Sequence, residues 1–114
     1  MGLRMIQVGT GGHGHGWCRS FLPPNVEEGL IEVVAAVDTN PDVLINAKEG
    51  LGLPDKKLYT DVNRAMDEND ADFCTIVTPP WAHEEVAQAA VSHGLHILSE
   101  KPIADTLEAS CRIA

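Results

Sequence analysis

Three short stretches of this 114-residue chain combine residue types and spacings that could do chemistry. The first is Gly9-Thr10-Gly11-Gly12-His13-Gly14, which fits the pattern G-x-G-x-x-G. In that pattern the first glycine permits a tight turn, the second lets the backbone approach a pyrophosphate, and the third lets a helix pack closely on a strand. A phosphate seated there would be held by the free N–H groups and partial positive charge of a helix N-terminus. Taken alone, the same residues also suit a plain glycine-rich loop. The second feature is Asp38, which follows Gly14 at close to the roughly 20-residue spacing of the acid that accepts hydrogen bonds from an adenosine ribose. A helix cap or turn former ahead of Asn40-Pro41 is the other use of such a residue. Thr39, beside Asp38, falls in the same ligand-facing loop, and neither it nor Asn40 and Pro41 supplies a cation for a 2′-phosphate. Asp38 itself would repel one, so the pattern favours NAD over NADP.

The third feature is a pair of turns, Thr78-Pro79-Pro80-Trp81-Ala82-His83 and Ser99-Glu100-Lys101-Pro102. Read singly, one is a proline-ended turn and the other a solvated Glu–Lys pair. His13 and His15 could be half of a metal site, but no Cys or carboxylate completes it at ligand spacing, and no metal is expected. Trp17 suits the core face of the helix that follows the glycine turn.

The elements that must position these residues alternate between two periodicities. Apolar runs at Met5–Val8, Ile31–Val37, Leu58–Thr60, Phe73–Val77 and His96–Leu98 read as four or five strands, the second nearly continuous, as in a parallel strand covered on both faces. Between them lie helical patterns. Trp17–Leu22 is a short helix that Pro23 and Pro24 should stop. Asn40 caps a helix with Pro41 in its first turn, Val43, Leu44 and Ala47 on its inner face and Gly50 just past its end. Asp61 caps another, with Val62, Ala65 and Met66 inward. The clearest runs from about Ala82 to His93, with Glu84 and Glu85 at the end where the macrodipole favours anions and Gly94 closing it. Such alternation implies right-handed crossovers and a doubly wound parallel α/β sheet, whose ligand lies at the carboxyl ends of the strands. All three chemical features fall just after strands.

Composition sets the remaining bounds. With 44% apolar residues the chain is one ordinary globular domain,. Its 8 basic against 17 acidic residues give a formal charge of −9, which argues against nucleic acid and anionic membrane as partners,. An anionic cofactor must therefore be captured locally, by backbone dipoles. Cys18, Cys74 and Cys111 are odd in number and unpaired by spacing, as for reduced thiols in the cytoplasm. No stretch approaches the roughly 18 apolar residues of a membrane span, and no secretory cleavage pattern follows the N-terminus.

Together the glycine turn, the Thr-Pro-x-x-x-His turn and the Glu-Lys-Pro motif, in this order, resemble the Gfo/Idh/MocA family, named for glucose-fructose oxidoreductase and inositol dehydrogenase. The resemblance runs from Met5 to about Ala109 and is densest from Ile76 to Ala104. It implies a Rossmann NAD(P)-binding domain of an oxidoreductase acting on a sugar, polyol or related hydroxyl compound. By the same resemblance Thr78 and Pro79 line the cofactor near its pyrophosphate and ribose, and His83 caps or braces the following helix. Glu100 contacts the nicotinamide ribose, Lys101 points into the active site beside the substrate hydroxyl, and Pro102 holds the turn. An ammonium at that place would stabilise a developing alkoxide and could pass on a proton.

The chain departs from the family at its end. Family members continue for roughly two hundred residues, a domain's worth, into a substrate-binding α/β domain that carries partner acid/base groups and commonly forms a homo-oligomer interface. Asp105 and Glu108 open a capping box whose helix reaches Ala114 in mid-pattern. The expectation is a truncated chain, residues 1–114, that binds cofactor without turnover. A free-standing nucleotide-binding sensor module is the other reading of the same residues.

Overall fold

The computed structural model describes residues 3–11, 16–78 and 82–99. Five strands, β1 (Leu3–Val8), β2 (Ile31–Val37), β3 (Leu58–Tyr59), β4 (Phe73–Ile76) and β5 (His96–Ser99), form one sheet in the order β3-β2-β1-β4-β5. Every pairing is parallel. The chain runs outward from β1 through β2 to β3, then returns to the other side of β1 for β4 and β5. That reversal between β1 and β4 is the topological switch point, where the loops leaving neighbouring strands part and open a crevice.

Helices cover both faces. On one, α3 (Val62–Glu68) and α4 (His83–Ser92) pack Val62, Ala65, Met66, Val86, Ala87 and Ala90 against Ile6, Val8, Ala35, Val37, Cys74 and Ile76. On the other, Cys18 and Leu22 from the first crossover, with Ala47 from α2 (Ile45–Leu51), pack against Met5, Val33 and Ala36. Trp17 is half-buried against the same cluster. Complete burial of Met5, Ile6 and Ile76 contributes about 1.5–3 kcal/mol per side chain,. With a helical layer on each face the architecture is doubly wound.

The strand positions follow the apolar runs within one or two residues, but three helix boundaries differ from the pattern. Pro23 and Pro24 do not stop the first crossover. They stand in the opening turn of α1 (Leu22–Glu27), preceded by a π-helical turn over Trp17–Phe21 whose wider hydrogen bond runs from the Leu22 N–H to the Trp17 carbonyl. Since α1 continues directly from that turn and proline has no N–H to give back to it, the wider π turn is what lets the chain carry Pro23 and Pro24 without ending the helix,. Gly50 likewise does not follow a helix end. It lies inside α2, and a Cβ there would overlap the Cys18 carbonyl oxygen, so its role is close packing between crossovers. The C-cap is Gly52, at φ +71°,.

Asn40 caps a separate 3-10 turn, Pro41–Val43, ahead of α2, which begins at Ile45 with no side-chain cap, whereas Asp61 caps α3 as its signal indicates. The Asn40 side chain accepts from the Asp42 N–H at 3.0 Å and Asp61 from the Asn63 N–H at 2.9 Å. Gly94, at φ +74°, follows the end of α4.

Candidate functional site

A cleft of about 890 Å³ opens at the carboxyl ends of β1, β2 and β4. Its walls combine Gly9 and Gly11 from the loop after β1, Asp38, Thr39 and Asn40 from the loop after β2, and Val77 and Thr78 from the loop after β4. Val37, Val43, Val62 and Val86 supply apolar surface, while Asp61 and Glu85 bring further carboxylates. Among the described lining residues none is Lys or Arg. Among the described residues, then, an anion at this cleft would meet backbone N–H groups rather than a cationic side chain.

The glycine turn is built by three strands at once. Gly9 has φ +101°, in the left-handed region that only glycine enters without strain, and a Cβ on it would overlap the Val77 carbonyl oxygen,. Its N–H donates to the Val37 carbonyl of β2 at 2.8 Å, and its carbonyl accepts from Gln7 Nε2 at 2.9 Å. Gln7 in turn accepts a hydrogen bond from the Thr75 hydroxyl of β4. Gln7 and Thr75 are in register across β1 and β4, and both are buried.

Thr10 is fully buried, and all its polar groups are engaged by protein. Its N–H donates to Asp38 Oδ2 at 2.9 Å, its hydroxyl reaches the Val43 carbonyl at 2.9 Å, and its carbonyl accepts from Asn46 Nδ2 at 2.8 Å. Its part in the site is to hold the loop and aim Asp38. The Asp38 carboxylate accepts on Oδ2 from Thr10 and on Oδ1 from the Asn40 N–H at 2.9 Å. Thr10 Oγ1 also lies 3.3 Å from Oδ2, but its single proton is spent on the closer Val43 carbonyl, so two of the roughly four lone-pair positions of the carboxylate are in use,. The remaining capacity suits a neutral hydroxyl donor such as a ribose.

The sequence-predicted residues Gly9, Gly11, Asp38, Thr39 and Thr78 thus share one cleft, with Thr10 directly behind it. His83 enters as the first residue of α4 and is placed by its backbone only. Gly12, His13, Gly14, Pro79, Glu100, Lys101 and Pro102 lie outside the described residues, as does the helix suggested from Asp105 onward. Sequence reasoning passed over Gln7 as a polar interruption of a strand; the signal was a side chain with two donors and an acceptor placed two residues before the first glycine. The fit to a dinucleotide rests on a glycine-only turn beside a carboxylate with spare acceptor capacity, within a cleft that has apolar walls.

Two thiols nearby are not nucleophiles. Burial pushes Cys18 up to about 12, opposed by Arg19, and burial alone pushes Cys74 up to about 12, so both stay protonated at neutral pH,. Among the described residues no group of three or more His, Cys, Asp or Glu is placed to hold a metal ion, and no helix is long and apolar enough to cross a membrane.

Known proteins resemble this chain in sequence and in fold. An uncharacterized protein, y4oX, of Sinorhizobium fredii is 49% identical over all 114 residues, and inositol 2-dehydrogenase of Klebsiella pneumoniae is 31% identical over 99% of the chain. In each case the chain covers 32% of the relative, about a third of its length. Among solved structures, the WlbA dehydrogenase of Bordetella pertussis in complex with NADH and UDP-GlcNAcA superposes with a TM-score of 0.82 at 25% identity, over 99% of this chain and 33% of that one. Scyllo-inositol dehydrogenase of Lactobacillus casei, with bound NAD(H) and scyllo-inositol, gives 0.78 at 27% identity over 96% of this chain and 31% of its own. Residues 3–114 match the model of an oxidoreductase family with an NAD-binding Rossmann fold, and the chain belongs to that family, Gfo/Idh/MocA, as its NAD-binding domain.

Proposed function

We propose that this domain holds the cofactor of an oxidoreductase that moves a hydride between NAD(H) and the hydroxyl of a sugar, polyol or related compound. The observation that carries the reading is Asp38, fixed by two backbone N–H groups at the tip of β2 beside the glycine turn. A carboxylate in that position receives the 2′- and 3′-hydroxyls of a ribose and repels a 2′-phosphate, so NAD is preferred to NADP. Gly9, Gly11, Gly12, His13 and Gly14 would carry the pyrophosphate on backbone, which suits a cleft without described cationic lining,. The bound nicotinamide supplies the hydride chemistry.

The substrate class draws support from the relatives, one an inositol dehydrogenase and another solved with a sugar nucleotide. Lys101 is the catalytic residue in this reading, stabilising alkoxide character on the substrate oxygen and handling its proton. Thr78, Pro79 and His83 border the cofactor, Glu100 contacts the nicotinamide ribose, and Pro102 holds the turn that presents Lys101. The 114 residues alone bind cofactor without turnover, and the intact enzyme works as a cytoplasmic homo-oligomer. The test is Lys101→Met in the intact enzyme. Loss of kcat by roughly a hundredfold or more with NADH affinity kept supports the role; unchanged kcat removes it.

A further inference from the structure

The hydrogen bonds behind the glycine turn form one continuous path across three strands. The Thr75 hydroxyl on β4 donates to Gln7 Oε1, and Gln7 Nε2 donates to the Gly9 carbonyl at 2.9 Å. The Gly9 carbonyl and the Thr10 N–H belong to one planar peptide unit and point in opposite directions. That N–H donates to Asp38 Oδ2 at 2.9 Å, at the end of β2. The amide can sit only one way round, because the Gly9 carbonyl requires a donor and the Thr75 hydroxyl proton an acceptor.

We propose that Gln7, oriented by Thr75, is a positioning residue for the cofactor: it sets the Gly9–Thr10 peptide plane, and through it the direction in which Asp38 presents its carboxylate. The inference rests on the cofactor reading above. Two features favour it over simple core filling. Gln7 is completely buried and Thr75 is 1% exposed, in a sheet whose other buried β1 and β4 positions, Met5, Ile6, Val8, Cys74 and Ile76, are apolar or thiol. A buried polar pair costs stability unless it is fully satisfied, whereas an apolar pair of similar shape would carry no such demand. Moreover, the free arm of the amide is spent on the one carbonyl of the glycine turn that shares a peptide with the Asp38 donor. A plane held on both sides cannot rotate, so the carboxylate is aimed before the ribose arrives, and less ordering remains to be done on binding.

Affinity and stability separate the two roles. In Gln7→Leu both the Gly9 carbonyl and the Thr75 hydroxyl lose their partner. Adding Thr75→Val removes the stranded hydroxyl and should recover part of the denaturant midpoint without recovering affinity. The expected NADH dissociation constant is about five- to tenfold above the parent in both the single and the double variant, the effect of one hydrogen bond. A folded double variant that binds NADH like the parent overturns the proposal. Should the double variant fail to fold, Thr75→Val against Thr75→Ser decides: weakened binding in the first alone supports the role, and equal binding in both overturns it. Failure of the unsubstituted chain to bind NADH at all refutes the cofactor reading itself, and this inference with it.

Discussion

Both ends of the sheet are hollow, and they are hollow in different ways. At the carboxyl ends the 890 Å³ cleft is framed by backbone held against side chains: Gly9 against Gln7, Thr10 and Asn40 against Asp38. At the amino ends a hollow of about 560 Å³ is lined by Arg4, Glu32, Lys57, Glu68, Asn69 and Asp70, among others. There side chains satisfy one another. Lys57 Nζ donates to Asn69 Oδ1 at 2.6 Å, Asn69 Nδ2 lies 3.1 Å from the Tyr59 hydroxyl and 2.8 Å from the Ala65 carbonyl, and Tyr59 reaches Glu68 at 3.3 Å. Groups that spend their hydrogen bonds on each other leave little for a ligand. A carboxylate fixed by backbone, with an acceptor position to spare, is prepared for one. Concavity alone therefore does not mark the site; unspent hydrogen-bonding capacity on a fixed frame does.

The largest expected effect comes from breaking the frame at the carboxyl end. Gly9→Ala forces a side chain into the left-handed region and into the Val77 carbonyl, and should lower stability by about 3 kcal/mol,. Chemical denaturation would read this loss, and NADH binding should disappear with it. Asp38→Ala comes next. It strips the Thr10 and Asn40 N–H groups of their acceptor, costing about 1–2 kcal/mol,. NADH affinity should fall at least tenfold, roughly 1.4 kcal/mol, with NADPH affected less. If NADPH binds the parent more tightly than NADH, the ribose role of Asp38 is wrong.

At the amino end, Asn69→Ala should cost stability of about 1 kcal/mol and leave the NADH dissociation constant within roughly twofold, which is within the scatter of a distant, additive site. A large change in affinity there would erase the contrast between the two hollows. The smallest effect belongs to His93, whose Nδ1 faces the Ala89 carbonyl at 2.7 Å and whose Nε2 faces Asp67 Oδ1 at 2.6 Å. Both partners are acceptors. The Ala89 carbonyl first, then Asp67, hold the imidazole above its ordinary 6.5. A raised folded value means the contribution is complete below 6.5 and fades as pH rises through the raised value. Parent and His93→Gln should thus differ in denaturant midpoint at mildly acidic pH and converge at alkaline pH, by a small margin because water screens the exposed pair. A gap that widens with pH would contradict that sign.

The sequence reading reached the sheet because parallel strands buried on both faces are written as apolar runs, as Ile31–Val37 is. It reached Asn40 and Asp61 because a cap is a local contact between a side chain and a backbone two residues on. It misread Pro23-Pro24 and Gly50 for a shared reason: proline and glycine mark a helix end only when nothing tertiary competes, and here the π-helical turn and the approach of Cys18 decide instead,. Of the candidate site, Gly9, Gly11, Asp38 and Thr39 could be named from spacing after strands, and Thr78 from the family resemblance. The strut of Gln7 and Thr75 could not, since the two are 68 residues apart and meet only once β1 and β4 are paired in register.

The central claim is that this fold binds NAD(H) at the glycine turn, with Asp38 choosing it over NADP(H). Titrating the purified chain with NADH and, separately, NADPH, following nicotinamide fluorescence, tests it most directly. The account predicts saturable NADH binding that is tighter than NADPH binding. No saturation with NADH up to roughly millimolar concentration, where binding is worth only about 4 kcal/mol, in protein shown by circular dichroism to be folded, would contradict it.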